Sequence, residues 1–182
     1  MARGINGANG PRNAPALINR GYGRLFFWDG RAQSLEQQAL QPITNPAEMG
    51  LTEAELERRT GMKATEVTAA LASYVRTIRS GDSPFDRYAA GRTNALTSLE
   101  KDGLQIFRSK GNCTSCHAGP TFTDEEFHNT GVAWRDGRLT DQGRFTVTGA
   151  DRDRGAFKTP TLREVAPPLR TCTTAAWRHL KT

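Results

Sequence analysis

Of all the features in this 182-residue chain, Cys113-Thr114-Ser115-Cys116-His117 constrains the fold most. Two thiols three positions apart face the same way within one turn, and an imidazole follows at once. C-x-x-C-H is the attachment pattern of c-type haem. The thiols add across the two haem vinyl groups, and the next residue lies under the porphyrin with a ring nitrogen for iron. Two rival readings of a close cysteine pair stand beside it. A dithiol redox motif asks for a β-α-β setting, which the surrounding pattern lacks. A zinc site asks for two more ligands, and Cys172 and His128 are distant in sequence and isolated. On the haem reading, Cys113 and Cys116 hold the cofactor and His117 is the proximal ligand to iron.

Composition agrees with a bound cofactor. Hydrophobic residues make up 36% of the chain, low for a globular protein of this length, and a haem would add apolar surface that the side chains do not. With 18 Gly and 9 Pro, much of the chain should be loop and short helix. Three cysteines, only two of them close together, do not make a disulfide framework. No apolar run approaches the ~18 residues that span a membrane, and the Gly- and Asn-rich start shows no signal-peptide core. The net charge of +6 serves solubility, or a basic surface that steers an acidic partner. Nucleic acid is not expected, because the Arg residues are scattered and no binding motif accompanies them.

Along the chain, residues 1–31 read as loop with an aromatic knot at Leu25-Phe26-Phe27-Trp28. Ser34 caps a short helix that Pro42 should stop near Leu40. Thr52 and Glu55 form a capping box for a second helix. The clearest helix starts near Ala64, with Val67, Leu71, Tyr74, Val75 and Ile78 on one face. Ser80-Gly81-Asp82-Ser83-Pro84 is a candidate boundary. A further helix carries Leu96, Leu99, Ile106 and Phe107 and ends at Lys110-Gly111. On it Gly103 and Phe107 lie four apart, as in the first helix of small cytochromes c, where the glycine permits close helix contact. A low-spin haem also needs a ligand on its second face, usually Met or His. Met1, Met49 and Met62 all precede the boundary, so none is placed to serve.

The order and spacing of several short motifs resemble one family. Arg12-Asn13-Ala14-Pro15, Phe27-Trp28-Asp29-Gly30-Arg31 and Asn45-Pro46-Ala47-Glu48-Met49-Gly50 look like the peroxidatic domain of bacterial di-haem cytochrome c peroxidases. Cys113 to Gly119, Phe122-Thr123-Asp124, Phe127-His128-Asn129 and Phe157-Lys158-Thr159-Pro160-Thr161-Leu162-Arg163 look like the electron-transfer domain. The resemblance implies an all-α fold of two cytochrome-c-like units with long loops, the first incomplete. Residues 1–84 form the partial peroxidatic domain and 85–168 the high-potential haem domain.

The resemblance also implies roles. Electrons from a small cytochrome c or a copper protein (a cupredoxin) enter at the haem on Cys113, Cys116 and His117. They cross to a low-potential haem, where hydrogen peroxide is reduced. Trp28 matches the tryptophan between the haems, and Glu48 the acid that assists O–O cleavage. A carboxylate suits that task, since it moves a proton from the near to the far oxygen. A calcium ion between the domains falls to the segments of Asn13, Thr159 and Pro160. Read without the family, Trp28 beside two Phe is a core residue and Glu48 a surface carboxylate. His128 is expected to be structural, bonded to a propionate or a backbone carbonyl. Because c-type haem is attached outside the cytoplasm, the location implied is periplasmic, and a homodimer is one assembly considered.

The chain departs from the family twice. The first C-x-x-C-H lies upstream of the Arg12-Asn13 segment in the family, so the chain reads as N-terminally truncated. After Thr161-Leu162-Arg163 the family continues to Tyr-Met-His-Asp-Gly, whose Met ligates iron. Here Thr171-Cys172-Thr173-Thr174-Ala175-Ala176-Trp177-Arg178-His179-Leu180-Lys181-Thr182 stands instead. A permitted codon set for that stretch, read from one base earlier, gives Tyr-Met-His-Asp-Gly-Ser-Leu-Ala-Thr-Leu-Glu-Asp. A single lost base near Pro167-Pro168 accounts for residues 169–182 as a shifted tail, leaving Cys172, Trp177 and His179 without a role. The alternatives are a single-haem electron carrier, the relatives that oxidise tryptophans in methylamine dehydrogenase (against which the restored Met argues), and a non-functional fragment.

Overall fold

The computed structural model describes residues 3–165. The proposed shifted tail, with Cys172 and His179, lies outside the described residues. Six helices follow in order: α1 Leu35–Thr44, α2 Glu53–Thr60, α3 Ala64–Thr77, α4 Pro84–Ala89, α5 Ser98–Arg108 and α6 Phe145–Thr148. Among the described residues the named strands form two antiparallel ladders. In one, β1 Phe127–His128 pairs with β4 Phe157–Lys158; in the other, β2 Trp134–Arg135 pairs with β3 Arg138–Leu139. The fold is therefore mostly helical, with loops that run between short elements. No helix among the described residues is long and apolar enough to cross a membrane.

Capping residues start most of these helices. Ser34 Oγ accepts from Gln37 N at the head of α1. Thr52 Oγ1 accepts from Glu55 N at α2, but the expected box is only half made, because the Glu55 carboxylate turns to Arg59 at 2.6 Å. Complete boxes occur where the sequence reading did not mark them, Ser83 with Asp86 at α4 and Thr97 with Glu100 at α5. Each cap satisfies N–H groups that the first turn leaves unpaired.

Two expectations about helices are corrected. Pro42 does not end α1 at Leu40; the helix runs on to Thr44. Pro42 sits in the last turn, and the following loop folds back to hold that turn, with Met49 N donating to Pro42 O and Leu51 N to Ile43 O. On α3 the buried positions are Ala64, Thr68, Ala72 and Val75, whereas Leu71 and Tyr74 are 42% and 66% exposed. The contact face is rotated toward the small side chains, which let α3 approach α1 closely.

Two apolar clusters result. Phe26, Ala32, Leu35, Ala72 and Val75 form one, with Phe27 against it, and Ile43, Leu56 and Ala64 form the other, with Leu51 and Val67. Both belong to the first half of the chain. The turn at 80–84 does lie between two helices, yet long-range contacts cross it: Arg20 pairs with Glu125 at 2.7 Å and Arg12 with Asp141 at 2.7 Å.

Candidate haem site and the Trp28 junction

The site grows from the end of α5. Ser109 N and Gly111 N return to the carbonyls of Gln105 and Ile106. Gly111 is needed there, because a Cβ would lie 2.7 Å from Ile106 O. Asn112, in the left-handed region at φ 49°, reverses the chain into a 3-10 turn over Cys113–Ser115. His117 N closes this turn on Cys113 O at 2.9 Å. Both cysteines are free thiols and half-buried.

His117 is oriented by the backbone. Its Nδ1 lies 2.9 Å from Phe122 O. A carbonyl only accepts, so Nδ1 carries the hydrogen and Nε2 keeps a lone pair for a metal. The imidazole, with Thr114, lines a cleft of about 330 Å³ whose other walls include Phe85, Leu104, Phe107 and Phe122. The apolar lining continues through Leu96 to Leu162. The rings of Phe85 and Phe122 are 4.8 Å apart, tilted, and Phe107 meets Phe122 edge-on at 6.3 Å. A flat apolar ligand held by two thioethers and one imidazole fits this donor set and lining. Gly103 behaves otherwise than expected: no atom comes within 4 Å of a Cβ built there, and its neighbour on that stripe, Leu99, is 81% exposed. Among the described residues no helix packs closely on it.

Sequence distance misled the reading of His128. Asp124 N donates to Cys116 O, and His128 Nε2 lies 2.7 Å from Asp124 Oδ2. The three side chains place ligand-type atoms within 4.8 Å of one another. The partner of His128 is thus a carboxylate rather than a backbone carbonyl. Although burial acts to raise it, the Asp124 carboxyl sits below the usual range, because Glu126 N–H and His128 bond the charged form.

Trp28 stands at a junction. Its Nε1 donates to Asn13 O at 2.8 Å, and its own carbonyl accepts from Lys158 N at 2.8 Å. The structure therefore gathers Asn13, Trp28 and the Lys158-Thr159 segment. Thr159 is buried and its carbonyl accepts from Thr123 Oγ1; Pro160 is exposed. Gly30, at φ 68°, permits the close approach of Phe127 and Arg144, whose Nη1 would be 2.7 Å from a Cβ. Asp29, next to Trp28, is buried and paired with Arg12 and Arg31. Glu48 lies elsewhere in the bonding pattern. It is half-buried, and its Oε1 accepts from Asn45 Nδ2 at 2.9 Å.

Beneath the junction three charges are buried together. Arg20 and Lys158 share Glu125, at 2.7 and 3.4 Å. Burial, and then the positive charge of Arg20, pull the Lys158 ammonium down to about 8. Burial alone would raise the Glu125 carboxyl, but the two cations hold it below its ordinary value. Sequence reasoning missed this triad, since its two ion pairs join residues 105 and 33 positions apart.

A helical fold with a C-x-x-C-H turn opening onto an aromatic cleft is the build of a c-type haem protein. Comparison narrows the class. Residues 1–94 match the family described as di-haem cytochrome c peroxidase, and the chain belongs to it. It is 38% identical over 173 residues to the methylamine utilization protein MauG of Methylorubrum extorquens, covering 85% of this chain and 48% of that one. It is 36% identical over 184 residues to the cytochrome c peroxidase Ccp of Escherichia coli (strain K12), covering 90% and 39%. Among solved structures, a MauG-like protein associated with microbial copper homeostasis superposes with a TM-score of 0.77 at 32% identity, over 90% of this chain and 55% of that one. The chain spans about half the length or less of these curated relatives.

Proposed function

We propose that this chain is the electron-entry part of a peroxidase that reduces hydrogen peroxide to two water molecules, using two electrons from a small cytochrome c or copper protein and two protons. When bound, haem c supplies the one-electron carrier. The remaining work falls to the chain. Cys113 and Cys116 fix the cofactor, and His117, aimed by Phe122 O, presents Nε2 to it. Trp28, pinned by Asn13 and Lys158, lies on the path out of the high-potential domain at 85–168 toward the peroxidatic domain begun in 1–84. Glu48, held by Asn45, moves the proton between peroxide oxygens. Calcium at Asn13, Thr159 and Pro160 is supported by the way Trp28 ties the first two segments together. The location is periplasmic, where c-type haem is attached, and a homodimer is the assembly considered.

One observation carries the reading: two free thiols and an Nδ1-anchored imidazole at the wall of one aromatic cleft. Produced with haem-attachment machinery and then denatured in acid, the protein is expected to keep its colour. Extraction of the haem into organic solvent overturns the reading. With one C-x-x-C-H in its sequence, the 182-residue chain alone is expected to show no peroxide-dependent oxidation of reduced cytochrome c. Turnover at the rate of an intact family member overturns the division of labour between the halves.

A further inference from the structure

We propose that Arg163 is a positioning residue for His117, acting through the backbone of Phe122. The proposal rests on the haem reading of the site.

Three observations lead to it. First, Phe122 is strained. Its φ of 51° lies in the left-handed region, where a bulky side chain sits only when its surroundings hold it. That backbone carries the carbonyl which receives His117 Nδ1 at 2.9 Å. Second, the segment 159–163 is laced to 120–123 by side chains. Thr123 Oγ1 donates to Thr159 O at 2.7 Å, and Thr161 Oγ1 donates to Thr121 O at 2.6 Å. Third, Arg163 finishes the lacing from the Pro120 carbonyl to the Phe122 ring. Its Nε donates to Pro120 O at 2.8 Å. Its guanidinium lies 5.2 Å from the centre of the Phe122 ring. Its two terminal nitrogens grip both oxygens of Asp86, at 2.7 and 2.6 Å.

Asp86 is a firm anchor. It caps α4 through Ser83, and Phe85 beside it lines the same cleft as His117. The Arg163 side chain is only 9% exposed and that of Asp86 27%, so the guanidinium side of the pair is largely shielded from competing water. A planar fork with five donors can hold a carbonyl and grip both oxygens of a carboxylate in one fixed geometry, which the single point charge of an ammonium reproduces only in part. Removing the fork frees Phe122 to relax toward the ordinary regions of backbone space. Its carbonyl then turns from Nδ1, and His117 becomes a less basic ligand. A weaker donor favours ferrous iron, so the potential rises.

The test uses the full chain carrying haem, with Arg163→Gln, Arg163→Lys and Asp86→Asn. In Arg163→Gln, exchange of the His117 Nδ1 hydrogen with solvent should quicken by about tenfold or more, the scale of losing one charge-supported hydrogen bond. The iron–histidine stretch should fall and the midpoint potential should rise. Arg163→Lys should recover part of these changes. Asp86→Asn leaves the guanidinium over Phe122 but weakens its anchor, and should move the same readouts in the same direction if Arg163→Gln cannot be loaded. A lower melting temperature with unchanged exchange, stretch and potential overturns the proposal. Absence of acid-stable haem in the parent chain instead defeats the haem reading. The His117 Nδ1 hydrogen can then still be followed in the haem-free chain, where unaltered exchange in Arg163→Gln overturns the positioning role.

Discussion

Residues 26–75 bury apolar side chains against one another, whereas residues 85–122 turn theirs toward a cleft. In the first region Phe26, Ala32, Leu35, Ala72 and Val75 close a small core from α1, α3 and the aromatic knot. In the second, Phe85, Leu104, Phe107 and Phe122 face open space beside His117, and no residue of α5 is buried. The first region has a complete core. The second supplies half of one, and a planar apolar cofactor would supply the rest. The same division explains how a chain with 36% hydrophobic residues can order its second half. Ion pairs also tie the two halves of the chain together, Arg20 to Glu125 and Arg12 to Asp141.

The largest effect should come from emptying the cleft. Replacing Cys113 and Cys116 together by Ala should abolish covalent haem. Hydrogen exchange should then show α5 and the 113–122 loop unprotected while α1 and α3 keep protection. Equal loss in both regions would dissolve the contrast between them.

Next in size is the buried triad. Glu125→Ala leaves Arg20 and Lys158 facing each other without a counter-ion, a change worth about 3–5 kcal/mol. Denaturant unfolding followed in each half should show both halves weakened, because the triad joins them. An effect confined to one half would mean that they are not coupled here.

Leu35→Ala should cost roughly 2–4 kcal/mol by opening a cavity in the first core. The haem spectrum at His117 should not change. A spectral shift would show that the first core shapes the cleft.

The last predicted effect is a slope, felt only in alkaline solution. Lys158 has a folded value near 8 against an ordinary 10.5, so between these values the unfolded chain binds more protons than the folded one. Stability relative to Lys158→Gln should therefore rise as pH goes from about 8 to about 10.5, at ~1.4 kcal/mol per pH unit at most. A flat difference across that window would show that Glu125 keeps Lys158 charged.

Much of the local architecture was legible. Ser34 and Thr52 mark helix starts because a cap is a hydrogen bond between residues two or three apart. The C-x-x-C-H pattern was legible for the same reason, since it occupies five consecutive residues, Cys113 to His117. Other features were not. Pro42 looked like a stop because its rule concerns the helix alone, and the return of Met49 and Leu51 lies outside that rule. The α3 face was misjudged because periodicity counts large apolar residues, while close helix contact selected Ala72 and Thr68. His128 looked isolated because eleven positions of chain separate it from Cys116, although the loop brings them together.

By itself, then, the sequence determined what contiguous residues can carry: a C-x-x-C-H turn, capped helices and an order of motifs that marks the family. Only the tertiary structure decided how that chemistry is aimed. Which carbonyl meets His117 Nδ1, what holds Phe122 in a left-handed conformation, and which cation shares Glu125 depend on contacts between residues tens of positions apart. Such contacts form only when packing closes the intervening loops. Nothing in local propensity encodes them, because each side chain involved would be equally well satisfied by water in the open chain.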